Sequence, residues 1–372
     1  MSSLPLHGVR ILTMAEQYPG PYATMLLCDL GADVILVERP AGGDPSRRFP
    51  GLFAAFNRGK RSVALDLKSP QGLADFLQLV DTADVVMEGF RPGVVARLGI
   101  GAEQLRARKP SLIYLSISSF GQAGPGHAVA GHDLSIQGAA GMIDVPAGQE
   151  AAYAPPALPL ADISAGMFAA MGVVTALFAR SRSYQGATVD VSMLDALVSW
   201  MTASLVPPMN GQPIRILPPP EPAYGLFATA DGRQLTLSIA GEDAMWIALC
   251  RMLGLERFAG LDEQQRVDRR REIDPLLRVA LRQWPYEALV ARLESEGVAF
   301  GPVWRPGEVF QDPQLAFRRM KVEVDGPQGQ HSFIRQPILF DGAHGAFAGG
   351  VPTLGQHNAD LLERRPAEVT SG

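Results

Sequence analysis

Cysteine is almost missing from this chain: 372 residues hold two, Cys28 and Cys250. Each lies in an apolar helical pattern, so the pair reads as buried free thiols, and a disulfide framework is excluded. Histidine is sparse too, with six scattered residues, and no Cys or His spacing matches a zinc site, so no metal is expected. A basic surplus is also absent. The formal charge of −5 argues against a general nucleic-acid binder, whose phosphate contacts need excess lysine and arginine. The N-terminus lacks the basic segment and apolar run of a secretory signal, and nowhere do about 18 apolar residues run unbroken. The expectation is a cytoplasmic chain without a membrane partner. No Gly-x-Gly-x-x-Gly or Walker pattern follows any apolar run, which leaves out the usual dinucleotide and ATP fingerprints.

What is present is 47% hydrophobic residues, arranged as short apolar runs that alternate with helical patterns. Strands are expected at 9–13, 33–37, 62–65, 84–87 and 112–116, and helices over 21–30, 71–80, 94–98 and 103–108. Such alternation means an α/β fold with a parallel, doubly wound sheet, whose ligands lie at the carboxyl ends of the strands. Further on, the Pro-rich segment between Pro207 and Pro220 reads as a stiff, extended linker. After it comes a hairpin over 224–239 turning at Asp231-Gly232, followed by amphipathic helices, which is the pattern of a smaller α+β domain. The remaining short strands are expected near Val322 and Ile338, with a helical tail over 359–363.

The loops after the strands carry the chemistry. Arg39, Arg47, Arg48, Arg58, Lys60, Arg61, Lys68, Arg91 and Arg97 concentrate cations on or beside them, as a ligand with several phosphates requires. Two further groups stand out. One is the Gly131-His132-Asp133 turn. The other is Asp162, which opens a small apolar helix over 163–172, where a carboxylate borders a low-dielectric region. Two readings of Asp162 stay open from the residues alone: a helix cap, or a desolvated nucleophile or base.

Several loops together are recognisable: the turn from Gln17 to Pro21 with Asp29-Leu30-Gly31-Ala32-Asp33, then Asn57-Arg58-Gly59-Lys60-Arg61, Phe90-Arg91-Pro92-Gly93, Phe120-Gly121 and Asp162. In order and spacing they resemble the family III CoA-transferases (the CaiB/BaiF family), a group that also contains the 2-methylacyl-CoA racemases. The resemblance implies a Rossmann-like large domain over 1–205, a linker over 206–220, a small α+β domain over 221–299 and a return segment over 300–372 completing the large domain. It also implies an intertwined, ring-like homodimer. Coenzyme A or an acyl-CoA would enter as substrate, with no tightly bound cofactor, against Arg39, Leu65, Lys68, Phe90, Arg97 and Met193.

In the transferases the residue matching Asp162 attacks the acyl-CoA thioester to give an aspartyl-acyl anhydride, and CoA then passes to an acceptor acid through an aspartyl-CoA thioester. Backbone N–H groups at the helix start are expected to stabilise the oxyanion, and Gln17 to position the acceptor. The racemases pair the same aspartate with a histidine 30 residues earlier, supported by a small-domain glutamate. Here 162 − 132 = 30, and His132 and Glu242 occupy the matching positions. Transfer is the leading reading and racemisation the alternative. A silent CoA-binding protein is a third, against which the intact Asp162 argues.

Overall fold

The computed structural model describes residues 4–143, 158–213, 221–326, 329–345, 347 and 349–362. They form two compact units, one of Met1–Ala203 with Arg318–Gly372, the other of Ser204–Phe317.

The first unit begins β1 (Arg10–Thr13), α1 (Pro19–Asp29), β2 (Asp33–Glu38), α2 (Pro50–Asn57), β3 (Arg61–Ala64), α3 (Pro70–Thr82) and β4 (Val85–Glu88). It continues with α4 (Val94–Arg97), α5 (Ala102–Arg108), β5 (Ile113–Ser118), α6 (Asp133–Ala139), α7 (Leu160–Ser183), β6 (Thr188–Ser192) and α8 (Met193–Trp200). The six strands form one sheet in the order β3-β2-β1-β4-β5-β6, every pair parallel. Strands β4 and β5 are buried almost throughout, as a sheet covered on both faces demands. The order reverses between β1 and β4, and that is where such sheets open a crevice.

Helix α7 is more than twice as long as the 163–172 pattern suggests. By length and hydropathy it would pass for a membrane span. It is a core helix, because Ala161, Ala165, Ala169 and Val173 are buried in one cluster with α1 and the central strands. Gly166 permits the approach: a Cβ there would stand 2.8 Å from the Pro19 carbonyl oxygen and 2.9 Å from the Tyr22 ring.

Helix α9 (Thr202–Met209) corrects one expectation. The first part of the linker, with Pro207 and Pro208, is helical rather than extended; residues 214–220 lie outside the described set. The second unit has the expected hairpin, β7 (Tyr224–Ala228) and β8 (Gln234–Ser238), with helices α10 (Asp243–Leu253), α11 (Glu263–Asp268), α12 (Arg270–Leu281) and α13 (Tyr286–Ser295) around a core of its own. Its sheet takes a third strand, β9 (Phe300–Pro302), antiparallel to β8. Residues 300–317 therefore group with this unit and not with a return segment, because backbone pairing overrides the weak apolar pattern there.

Beyond α14 (Pro313–Phe317), the hairpin β10 (Lys321–Gly326) and β11 (Gly329–Ile334) and helix α15 (Asn358–Leu362) close the chain. The late strand thus lies before Ile338, and α15 packs on β3 and α3 in the first unit.

Candidate active site

The C-terminal ends of the strands in the first unit are shaped by buried acids. Glu38, last in β2, is 5% exposed; it takes two bonds of 2.7 Å from Arg47, one of 2.6 Å from the Ser62 hydroxyl and one of 3.0 Å from the Asp44 N–H. Burial pushes its pKa up, but these donors outweigh burial and leave it below the usual range. Asp44 in turn accepts from the Ser46 N–H and hydroxyl, each at 2.7 Å, and from the Gln17 N–H at 3.2 Å. Gln17 needs that anchor, since its φ of 68° is a conformation that a residue with a Cβ rarely adopts. Glu88, last in β4 and 1% exposed, accepts the Phe90 N–H at 2.7 Å and fixes the next loop.

Between these loops a cavity of about 310 Å³ opens at the reversal point, lined by Gln17, Tyr18, Phe90, His132, Asp162 and Met193 among others. Gly20 lets the chain turn from β1 into α1 beside it, since a Cβ there would come within 2.1 Å of that of Ala15.

Asp162 is the third residue of α7 and does not cap it. The cap comes from Asp133, whose Oδ1 accepts the N–H of Ala161 at 2.7 Å and of Asp162 at 3.4 Å, while its Oδ2 accepts from Gln137 Nε2 at 2.5 Å. Ile163 N–H is taken by the Pro159 carbonyl at 3.0 Å. The N–H groups of these three residues are therefore engaged within the protein. Burial, and then the negative charge of Asp133, push the Asp162 pKa up to about 7. Such a carboxyl exists in both states near neutrality, as a nucleophile or base requires.

His132 precedes α6 on the exposed side; its backbone N–H donates 2.8 Å to the Ser135 hydroxyl. Arg39 follows β2 and donates 2.9 Å to the Gly43 carbonyl, Lys68 follows β3, and Arg97 lies on α4 with its guanidinium over Gly93; all three are exposed. Leu65 is in the core, 5% exposed. Glu242 belongs to the second unit, where its carboxylate accepts the Ala240 N–H at 2.6 Å.

Several cations of the sequence cluster prove structural. Arg47 serves Glu38, Arg58 forms a buried pair with Asp29 at 2.7 Å, Arg61 pairs with Asp33, and the Lys60 ammonium donates to Pro21 O, Thr24 Oγ1 and Asn57 Oδ1. Residues the sequence pattern does not single out also belong here: Asp44 behind Gln17, and Tyr18 in the cavity wall. Nothing in periodicity marks either; a tyrosine between Gln17 and a proline reads as part of a turn.

A doubly wound sheet with loop cations at its carboxyl edge and a perturbed carboxylate at its reversal point defines an enzyme that handles a polyanionic substrate by acid–base or nucleophilic chemistry. The family follows from comparison with known proteins: residues 6–358 match CoA-transferase family III, and the chain belongs to it. It is 33% identical over 385 residues to the succinate–glutarate CoA-transferase of Agrobacterium fabrum, covering 96% of this chain and 95% of that protein. It is 31% identical over 390 residues to the succinyl-CoA:mesaconate CoA-transferase of Haloarcula marismortui, covering 96% of each. A CaiB/BaiF family protein from Brucella suis superposes with a TM-score of 0.84 at 31% identity, covering 97% of this chain and all of that one. The protein is thus an enzyme of the family III CoA-transferases, which act on CoA thioesters, and these relatives do not favour the racemase alternative.

Proposed function

We propose that this enzyme moves CoA from an acyl-CoA to a carboxylic acid by covalent catalysis at Asp162. The observation that carries the reading is the Asp162 carboxylate, held in the cavity with its pKa near 7. Its ionised oxygen attacks the thioester carbonyl, and collapse of the tetrahedral adduct breaks the C–S bond, leaving an aspartyl-acyl anhydride and CoA thiolate. The thiolate then attacks the aspartyl carbonyl, releasing the donor acid and forming an aspartyl-CoA thioester. The acceptor carboxylate attacks that thioester, forming an aspartyl-acceptor anhydride and expelling the thiolate, which then attacks the acceptor carbonyl to give the new acyl-CoA and release the Asp162 carboxylate. No proton or electron is gained or lost over the cycle.

Arg39, Lys68 and Arg97 hold the CoA phosphates, Phe90, Met193 and Leu65 flank its adenine and pantetheine, and Gln17 orients the acceptor. His132 shapes the acyl side of the site. The substrates are short dicarboxylates, in keeping with the names of the relatives and with Arg91, His127 and His132 in the cavity wall. The enzyme works as an intertwined homodimer. This is supported by an apolar stripe on α7, where Met167, Met171, Val174 and Phe178 recur at helical spacing and are 41–58% exposed.

The test is transfer from succinyl-CoA to labelled glutarate, with hydroxylamine added to trap the intermediate. The expected result is acid-dependent CoA exchange and a hydroxamate at Asp162. Deuterium entering the α-carbon of a 2-methylacyl-CoA at a catalytic rate, with no acid accepting CoA, would overturn the reading.

A further inference from the structure

We propose that Tyr18 is a catalytic residue whose phenolic O–H donates a hydrogen bond to the acyl oxygen as Asp162 attacks; this rests on the transfer reading above. Attack turns the carbonyl oxygen into an oxyanion that needs a donor about 2.7–3.1 Å away. The N–H groups of Ala161, Asp162 and Ile163 cannot supply it, because Asp133 and the Pro159 carbonyl already take them. A side-chain donor can serve instead, and Tyr18 lines the same cavity as Asp162.

The fold leaves the phenol little freedom. Its ring meets Phe56 edge to face with centroids 4.7 Å apart. Its backbone is fixed by an N–H bond of 3.1 Å to Glu16 O and by its own carbonyl, which accepts the Tyr22 N–H at 2.9 Å. The preceding Gln17 is pinned in its left-handed conformation by Asp44. The hydroxyl has no hydrogen-bond partner among the described residues, so it is available to a substrate. Burial first, and then the charges of Asp162, Tyr22 and Asp133, raise the Tyr18 pKa, so the phenol stays neutral and acts as a donor. It keeps its proton throughout: the bond forms as charge develops on the oxygen and is released when CoA thiolate departs.

Tyr18→Phe separates the hydroxyl from the ring, since phenylalanine preserves the packing on Phe56. In the full-length enzyme, with succinyl-CoA and glutarate, kcat is expected to fall about 10²-fold, the loss usual for one oxyanion donor. CoA affinity by calorimetry and the melting temperature should stay at wild-type values, and the hydroxamate at Asp162 should form correspondingly slowly. If the variant transfers within about threefold of wild type, the proposal is wrong while the transfer reading stands. If it loses rate only together with CoA affinity or melting temperature, Tyr18 has a packing role and the proposal also fails. A wild-type enzyme that makes no Asp162 adduct and transfers to no acid overturns the transfer reading, and the proposal with it.

Discussion

Asp133 accepts hydrogen bonds from the N–H groups of Ala161 and Asp162 at 2.7 and 3.4 Å, so one carboxylate caps the helix on which the other stands. The cap satisfies donors that Pro159, with no side-chain acceptor, leaves open. Its charge also keeps the neighbouring carboxyl protonated to higher pH.

That coupling predicts the pH dependence of transfer. The nucleophile is the ionised form of a carboxyl with a pKa of about 7, so kcat/KM should rise tenfold per pH unit on the acid side and level off above about 7. Asp133→Asn keeps an acceptor oxygen and removes the charge. Its profile should therefore shift to lower pH, and an unmoved profile would show that burial rather than the Asp133 charge sets the Asp162 pKa.

The same shift has a cost in stability. A carboxyl whose folded pKa lies above its unfolded value contributes stability that is complete at low pH and is lost as pH rises through about 7. Asp162→Asn should therefore be more stable than wild type at pH 8, by about 1–2 kcal/mol after allowing for the residue's partial exposure, and the gain should vanish near pH 4. Thermal melts of both proteins across that range measure it. Transfer by the variant should fall by at least about 10³-fold.

CoA affinity should depend on the cations that remain free for a ligand. Lys68→Glu and Arg97→Glu should each weaken CoA binding by about ten- to a hundredfold, as loss of a charge-assisted contact of about 1.5–3 kcal/mol implies. Calorimetry at two salt concentrations tests this, with a steeper salt dependence for wild type. Arg58→Glu should instead impair folding, because Asp29 would be left buried and unpaired.

The stripe on α7 predicts association. Light scattering should give about twice the 39.9 kDa chain mass at micromolar concentration. Met171→Lys combined with Phe178→Lys should lower that mass or the yield of folded protein. A wild-type mass of one chain would remove the dimer from the proposal.

The parallel sheet is legible because a strand covered on both faces needs an apolar middle, as in Val34–Val37 of β2 and Val85–Met87 of β4. The edge strand β6 lacks one, since Thr188-Val189-Asp190-Val191-Ser192 alternates and half of it faces solvent. Helix α9 is illegible for another reason: Pro207 and Pro208 argue locally for an extended chain, and Thr202–Met209 is helical nonetheless.

The sequence by itself determined the α/β class, the cation-rich carboxyl edge and the candidacy of Asp162 and His132, since these follow from local periodicity and from the chemistry of single residues, while Gln17 entered through the family resemblance. Only the tertiary structure decided that Asp133 caps α7, that Lys60 and Arg58 belong to the scaffold, that Asp44 holds Gln17, and that Tyr18 shares a cavity with Asp162. Each of those relations joins residues whose separation along the chain says nothing of their distance; the crossing of the sheet order at β1 and β4 and the close seating of α7 on α1 bring them together.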